Sequence, residues 1–502
     1  MQPARRRPGF RGAAGFLQLS YENTGRLART RAVVCAVRMA AETFDVVVVG
    51  AGPVGEVAAE RAAKGGLKVA LIEHERFGGE CSYWACIPSK ALLRPGNLLA
   101  AAKRMPGVPI GDALDAEKVL ARRDWFTGKG DDSGQIEWAR GAGLEPVRGY
   151  GRISGEREVT LDDGRVFAAR HAVIVCTGSV PRTPKIPGLD TIKPWGSREA
   201  TSATEVPGRL GVLGGGVVGV EMAQAWARLG ARVDFVISGE RPLPRLPEFA
   251  GDLVLAGLRE AGVRVHASSG LSEVSSVDGG TRLKLSGGEE IAVDELLVAT
   301  GRAPATSSIG LDVLGLPTDR PLEVDESGRV SAVEGGWLYA AGDVTGRALL
   351  THQGKYAARV VGDAVAARAR GEEISTEPWS RYSATADHHA VPQVVFTDPE
   401  VTSVGLTEAR DGSADRVVDI DIAVAGSSLH ADGYQGKARM VVDPERGVVL
   451  GVTFVGQDVA ELLHSATIAV VGEVPLDRLW HAVPAFPTIS EVWLRLLEAY
   501  GL

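Results

Sequence analysis

At 502 residues, with 45% hydrophobic and 24% charged side chains, the chain can bury several cores and is expected to divide into three or four lobes. A formal net charge of -8 gives no field to attract nucleic acid, and no apolar run approaches the ~18 residues of a membrane-crossing helix, so the expected partners are small molecules. The four cysteines, Cys35, Cys81, Cys86 and Cys176, are too few to staple a chain of this length, which leaves them chemistry or packing.

The first 38 residues carry eight arginines and a single acid, Glu22, with no sustained apolar period. Such a leader suits a transit peptide and equally suits translated sequence upstream of a start at Met39. No signal-peptide apolar core is present, which favours the upstream start, a disordered leader and a cytoplasmic protein.

Phe44-Asp45-Val46-Val47-Val48-Val49-Gly50 is a continuous β-branched run ending in glycine, the pattern of a strand buried on both faces of a parallel sheet. A helix follows through Glu56 to Lys64, Gly65-Gly66 stops it, and Lys68 to Glu73 is a second apolar strand. The same grammar recurs with Leu210 to Leu213, a helix over Val217 to Leu229, Gly230 as the stop, and a strand from Arg232 to Ile237. The chain therefore contains two nucleotide-binding folds of the doubly wound type.

Two short strands end in Thr-Gly, at Ala172 to Thr177-Gly178 and at Glu295 to Thr300-Gly301, and mark crossings between the two folds. After Ala340-Ala341-Gly342-Asp343 comes a helix over Gln353 to Arg368, then a polar linker over Gly371 to Glu377. A further domain opens with Val391 to Phe396, with strands at Lys437 to Val442 and Val448 to Val455 and helical stretches from Asp458 and Thr488.

The first fingerprint, Gly50-Ala51-Gly52-Pro53-Val54-Gly55, joins a strand to a helix. Its glycines permit the tight turn and bring backbone N–H groups up to a pyrophosphate, while Glu73 closes the next strand where an acid bonds a ribose hydroxyl. The second, Gly214-Gly215-Gly216-Val217-Val218-Gly219, has the same context, but its next strand runs out in Ile237-Ser238-Gly239 with no acid. Arg241 and Arg245 follow, and an Arg there accommodates a 2′-phosphate, which leans the choice between NADPH and NADH toward NADPH.

Between the fingerprints stands Gly78-Gly79-Glu80-Cys81-Ser82-Tyr83-Trp84-Ala85-Cys86-Ile87-Pro88-Ser89-Lys90, with four residues between the cysteines. Two cysteines this close at the start of a helix can approach as a disulfide, and a helix N-terminus lowers the pKa of the thiol placed there; the alternative is two packed thiols. The segment resembles the class I pyridine nucleotide-disulfide oxidoreductases from Phe44 to Glu498. It shares with them Thr177-Gly178, Thr300-Gly301-Arg302, Gly342-Asp343, and Thr397-Asp398-Pro399-Glu400 with Gly405.

The resemblance implies an α/β chain with two Rossmann-type nucleotide-binding domains plus a C-terminal α+β dimerisation domain. The boundaries it suggests are 39–192 and 303–375 for FAD, 193–302 for NAD(P), and 376–502 for the interface. It implies FAD held by Gly50, Gly52, Gly55, Glu73, Gly79, Glu80, Lys90, Thr177, Gly178, Gly342 and Asp343. NADPH or NADH would be held by Gly214, Gly216, Gly219, Ser238, Arg241, Arg245 and Gly301. Cys81 would be the interchange thiol, Cys86 the thiolate against the flavin, and Lys90 would sit near flavin N5, paired with Glu221. No resident metal is implied. Cys176, on an apolar strand, is expected in the core.

In thiol-reducing members the partner subunit supplies a His in a His-Pro-Thr segment, backed by a Glu five residues later. Here that segment reads Phe486-Pro487-Thr488-Ile489-Ser490-Glu491. A benzyl group moves no proton, so ordinary disulfide reduction should be handicapped by about 10²–10⁴-fold. His481 does not match the motif position and is expected to be a polar helix-end residue. Tyr83 and Trp84 are bulky where relatives are small, which suggests an altered pocket.

The leading reading is an FAD-dependent NAD(P)H oxidoreductase, a homodimer, passing electrons through Cys81 and Cys86 to a small-molecule acceptor. The alternatives are a dihydrolipoamide dehydrogenase or other disulfide reductase with a different proton source, a quinone or metal-ion reductase, and a non-catalytic flavoprotein.

Overall fold

Val46, Val47 and Val48 are wholly inaccessible to solvent, in a strand, Glu42–Val49, that lies inside a sheet. It pairs in parallel with Val69–Glu73 on one side and with Val166–Val175 on the other. With both faces covered, the run shows no alternation of apolar and polar residues. This is a computed structural model, and it describes residues 40–502. The leader reading of 1–38 and Cys35 lie outside the described residues; Ala40–Leu502 forms one unit.

The strand expected at Ala172 begins earlier, at Val166, because it serves two neighbours along one edge. Near its start it pairs antiparallel with Glu158–Leu161, and near its end it pairs in parallel with Leu338–Ala340. The helix after Gly342-Asp343 spans Thr351–Ala369 and packs on the first fingerprint helix, Pro53–Lys64. The contact depends on small residues: a Cβ at Gly354 would come within 2.6 Å of Val54 Cγ2, and one at Gly362 within 2.5 Å of Arg61 Cβ. Asp363 then accepts hydrogen bonds from Arg61 at 2.7 and 2.5 Å. This packing carries Thr351, at the head of its helix, to the edge of the first fingerprint.

The second nucleotide-binding fold is a four-stranded parallel sheet, ordered Arg264–His266, Arg232–Val236, Arg209–Leu213, Glu295–Val298. An antiparallel sheet of Leu271–Val277, Gly280–Leu285 and Glu290–Val293 accompanies it, and Leu283 and Val293 share a core cluster with Leu213 and Leu296. The two crossings between the folds run side by side, Ser179–Pro181 pairing antiparallel with Arg302–Pro304.

The last domain is a five-stranded antiparallel sheet ordered Gln393–Val395, Glu400–Gly405, Val448–Gly456, Lys437–Asp443, Arg416–Asp421. Helices Leu463–Val471 and Val492–Tyr500 pack on it around Phe454 and Met440, and each follows a 3₁₀ turn, so the helices start later than Asp458 and Thr488. The architecture is the mixed α/β pair of nucleotide-binding domains with a C-terminal antiparallel domain. Among the described residues, no helix is long and apolar enough to cross a membrane.

Candidate functional site

The two fingerprints repeat one another in their steric demands. Gly50 has φ +100°, and a Cβ there would stand 2.4 Å from Cys176 O; Gly214 has φ +116°, and its Cβ would stand 2.5 Å from Ala299 O. A Cβ on Gly55 would fall 1.8 Å from Gly50 O, and one on Gly219 would fall 1.9 Å from Gly214 O. Only glycine permits strand and helix to approach this closely. Gly52 and Gly216, by contrast, are not crowded, a Cβ on Gly52 meeting Gly79 Cα only at 4.0 Å and one on Gly216 meeting nothing within 4 Å, so each turn leaves a cradle at the head of its helix where a pyrophosphate fits.

Glu73 is buried behind the first cradle. Its Oε2 accepts Ala51 N–H at 2.8 Å and its Oε1 accepts Glu75 N–H at 2.8 Å, with His74 Nδ1 at 3.2 Å. Burial works to raise its pKa, but hydrogen bonds from His74, Glu75 and Ala51 outweigh it and hold the carboxyl below its ordinary range.

The two cysteines lie at a junction of helices. Cys86 is the first residue of Cys86–Lys103, and its Sγ is 3.2 Å from the hydroxyl of Thr351, the first residue of Thr351–Ala369. Two helix N-termini therefore converge on one sulfur, which favours negative charge there. Both thiols are free and half-buried, and they hydrogen-bond each other. The Cys86 thiol is held below its ordinary pKa by the hydrogen bond from Cys81, helped by Thr351 and Lys90 against the cost of burial. Cys81, the donor, is pushed up by the same contact and by burial. Cys176 is buried in the core, as its strand pattern implies, and burial pushes its thiol up to about 12.

Lys90 lies one turn along the thiol helix and donates to Glu221 Oε2 at 2.7 Å; Glu221 Oε1 accepts Phe396 N–H at 3.0 Å. The same two helices grip the following Asp398. Its Oδ2 takes Arg104 at 2.6 Å and Arg228 at 2.7 Å, while Gln224 exchanges hydrogen bonds with its backbone at 2.8 and 2.7 Å. Burial would raise the Asp398 pKa, but the two guanidinium groups lower it.

A cavity of about 560 Å³ runs from Gly52 and Glu73 past Cys81 and Cys86 to Met222 and Val394. Gly50, Gly79, Glu80, Lys90, Thr177, Gly178, Gly342, Asp343 and Glu221 line it as well. Glu80 Oε2 is buried with no hydrogen-bond partner, although Arg302 lies 3.9 Å away and Arg198 holds Oε1. An orphaned acceptor beside an empty-faced glycine cradle is the environment that a hydroxyl-rich dinucleotide satisfies. Trp84 also lines this cavity, its ring 4.2 Å from the Arg198 guanidinium and 5.4 Å from that of Arg76.

Other expected residues lie apart from the thiols. Arg241 is committed to Asp252 at 2.6 Å and Glu248 at 3.3 Å, whereas Arg245 is exposed and makes no ion pair among the described residues; Ser238 and Gly301 are exposed as well. Phe486 is 76% exposed, outside the cavity, and Glu491 is buried with Oε2 unpartnered. His481 is exposed just beyond the short helix Leu476–Leu479. Thr351 is the functional residue that sequence reasoning missed. Its signal was a hydroxyl residue just ahead of a helix whose start was placed at Gln353.

Residues 44–371 match the model of the pyridine nucleotide-disulphide oxidoreductases, and residues 391–496 match the dimerisation domain of the same family. Similar proteins include dihydrolipoyl dehydrogenase of Chlorobaculum tepidum, 34% identical over 90% of this chain and 96% of that one. The Bacillus subtilis dihydrolipoyl dehydrogenase is 30% identical over 91% of this chain and 99% of its own length. Among solved structures, the HOCl-induced flavoprotein disulfide reductase RclA from Escherichia coli superposes with a TM-score of 0.77 and 25% identity, covering 91% of this chain and 99% of that one. With both nucleotide cradles and the thiol pair in place, the chain belongs to the class I pyridine nucleotide-disulphide oxidoreductases, a family of FAD-dependent enzymes.

Proposed function

We propose that the protein is an NAD(P)H oxidoreductase that uses Cys81 and Cys86 as its redox pair and delivers electrons to an acceptor other than a conventional disulfide substrate. When bound, FAD supplies two-electron transfer between the nicotinamide and the disulfide. The protein's own part is to receive those electrons as Cys86 thiolate and Cys81 thiol. The observation that carries this reading is geometric: Cys86 opens its helix with Thr351 Oγ1 3.2 Å from its Sγ, one turn from a Lys90 paired with Glu221 at 2.7 Å. A pair built only for packing needs no such arrangement.

Phe486 is what separates this reading from that of the dihydrolipoyl dehydrogenases. If it occupies the position of the relatives' His, the partner subunit brings no imidazole to Cys81. A homodimer fits the dimerisation domain and the apolar exposure of Phe486 (76%) and Val483 (84%), and light scattering tests it. The nucleotide preference rests on less than the sequence suggests, because Arg241 already has two carboxylate partners. Arg245, which makes no ion pair among the described residues, is the candidate cation for a 2′-phosphate.

Anaerobic titration with NADH and with NADPH tests the reading. Two electrons should produce a long-wavelength flavin–thiolate band, with the faster nucleotide identified by rate. A flavoprotein that neither nucleotide bleaches would overturn it.

A further inference from the structure

The crossing between the two nucleotide-binding folds ends in a cation that reaches into the flavin side. Arg302 stands in the crossing strand Arg302–Pro304, which pairs with Ser179–Pro181. Its Nε donates to Ser179 Oγ at 2.7 Å and its Nη2 donates to Ser179 O at 2.6 Å. Ser179 Oγ in turn donates to Asp343 Oδ2 at 2.5 Å. Nη1 reaches Ser197 Oγ at 3.4 Å, and Nη2 lies 3.9 Å from Glu80 Oε2, one residue before Cys81.

The proton count makes this chain directional. A serine hydroxyl has one hydrogen, and with a guanidinium donating to its oxygen, that hydrogen must go to the other partner. Arg302 therefore fixes the Ser179 rotor, and Ser179 fixes Asp343. Ser179 is buried (7% exposed), so water does not compete well for either bond, and one end of the chain is ionic. Asp343 lines the cavity, and with Oδ2 held by Ser179 its Oδ1 accepts no hydrogen bond from the described residues.

We infer that Arg302 is a positioning residue: acting through Ser179, it orients Asp343 for a hydroxyl of the bound flavin cofactor and so ties cofactor retention to the domain crossing. Ser179 is the obligatory middle of the link. This rests on the reading that the cavity holds FAD at Asp343.

The test is FAD binding to the stripped protein, followed by flavin fluorescence, for the parent and for Ser179→Ala, Arg302→Met and the double variant. Each single variant should weaken FAD binding by roughly 10-fold, the worth of one charge-assisted hydrogen bond, and the double variant should be no weaker than the poorer single. Multiplying effects, or single variants that bind FAD as the parent does, would overturn the inference. A parent that takes up no FAD would instead overturn the reading beneath it. Thermal unfolding of each stripped variant separates positioning from folding: lower melting with unchanged FAD affinity means a structural role only. If Arg302→Met fails to fold, Ser179→Ala and Arg302→Lys decide the matter. The lysine variant keeps the charge but not the two-pronged contact, and it should bind FAD more weakly than the parent.

Discussion

One carboxylate, Glu221, holds Lys90 at 2.7 Å with one oxygen and the Phe396 amide at 3.0 Å with the other, while only 2% of the residue is exposed. Thiol helix, second fingerprint helix and C-terminal domain thus meet on a single group. Glu221→Gln leaves an ammonium without its counter-ion, and breaking a buried pair costs about 3–5 kcal/mol. A third of the Lys90 side chain is exposed, so solvent screening brings the expected loss to roughly 2–3 kcal/mol. Denaturant unfolding measures it. Pairing Glu221→Met with Lys90→Met should restore part of the loss, because no unpaired charge then remains; no recovery would show that the cost is packing.

Thr351→Val keeps the shape at the head of its helix and removes the hydroxyl 3.2 Å from Cys86 Sγ. The Cys86 thiol, lowered to about 6, is a thiolate above that pH and loses its charge as pH falls through it. Without the hydroxyl the transition should move up by roughly one pH unit, the worth of one hydrogen bond to a charged acceptor. Thiolate absorbance of the reduced protein against pH reads this directly. An unmoved midpoint would mean that Thr351 does not stabilise the thiolate.

Much of this site could be read from the chain because its chemistry depends on local rules. Gly50, Gly55, Gly214 and Gly219 are required by close backbone approach, and Cys81, Cys86 and Lys90 lie within one segment and helical turn. The residues that escaped notice act across long sequence separations. Thr351 meets Cys86 from 265 positions away, and Gln224 meets Asp398 across 174; no periodicity encodes such contacts. The fold shows the same division. The parallel strands are evident from unbroken apolar runs, but the expected strand starts only at Ala172, because Arg170 ahead of it faces solvent and pairs with Asp45. Strand Arg416–Asp421 was missed for a related reason: it is an edge strand with three aspartate or arginine side chains outward.

The two glycine turns should fail separately. In Gly55→Ala the new methyl falls 1.8 Å from Gly50 O, which forces the first helix off its strand, and the protein should purify colourless. In Gly219→Ala the clash is with Gly214 O at 1.9 Å, in the second fold, so the protein should stay yellow yet resist bleaching by either nucleotide. Absorbance of the purified proteins, before and after anaerobic nucleotide, checks both. If Gly219→Ala also loses its colour, the two cradles are not independent.

Phe486→His tests the proposal that Phe486 stands where the disulfide reductases carry their proton donor. Because Phe486 is 76% exposed, the substitution should change stability by less than about 0.5 kcal/mol, which frees the result from folding artefacts. Glu491, five positions on, is buried with Oε2 lacking a hydrogen-bond partner, a carboxylate that could accept from the new imidazole were the two brought together. Disulfide reductase activity toward a small disulfide substrate should then rise by about 10²-fold or more, toward the range that a placed acid–base group contributes. The gain should follow the ionisation of the new imidazole, and Glu491→Gln on that background should remove much of it. Stable protein with no gain would place the barrier in the pocket instead, where Trp84 stands between Arg76 and Arg198 beside the thiols. Trp84→Gly combined with Phe486→His would then be the variant to recover activity.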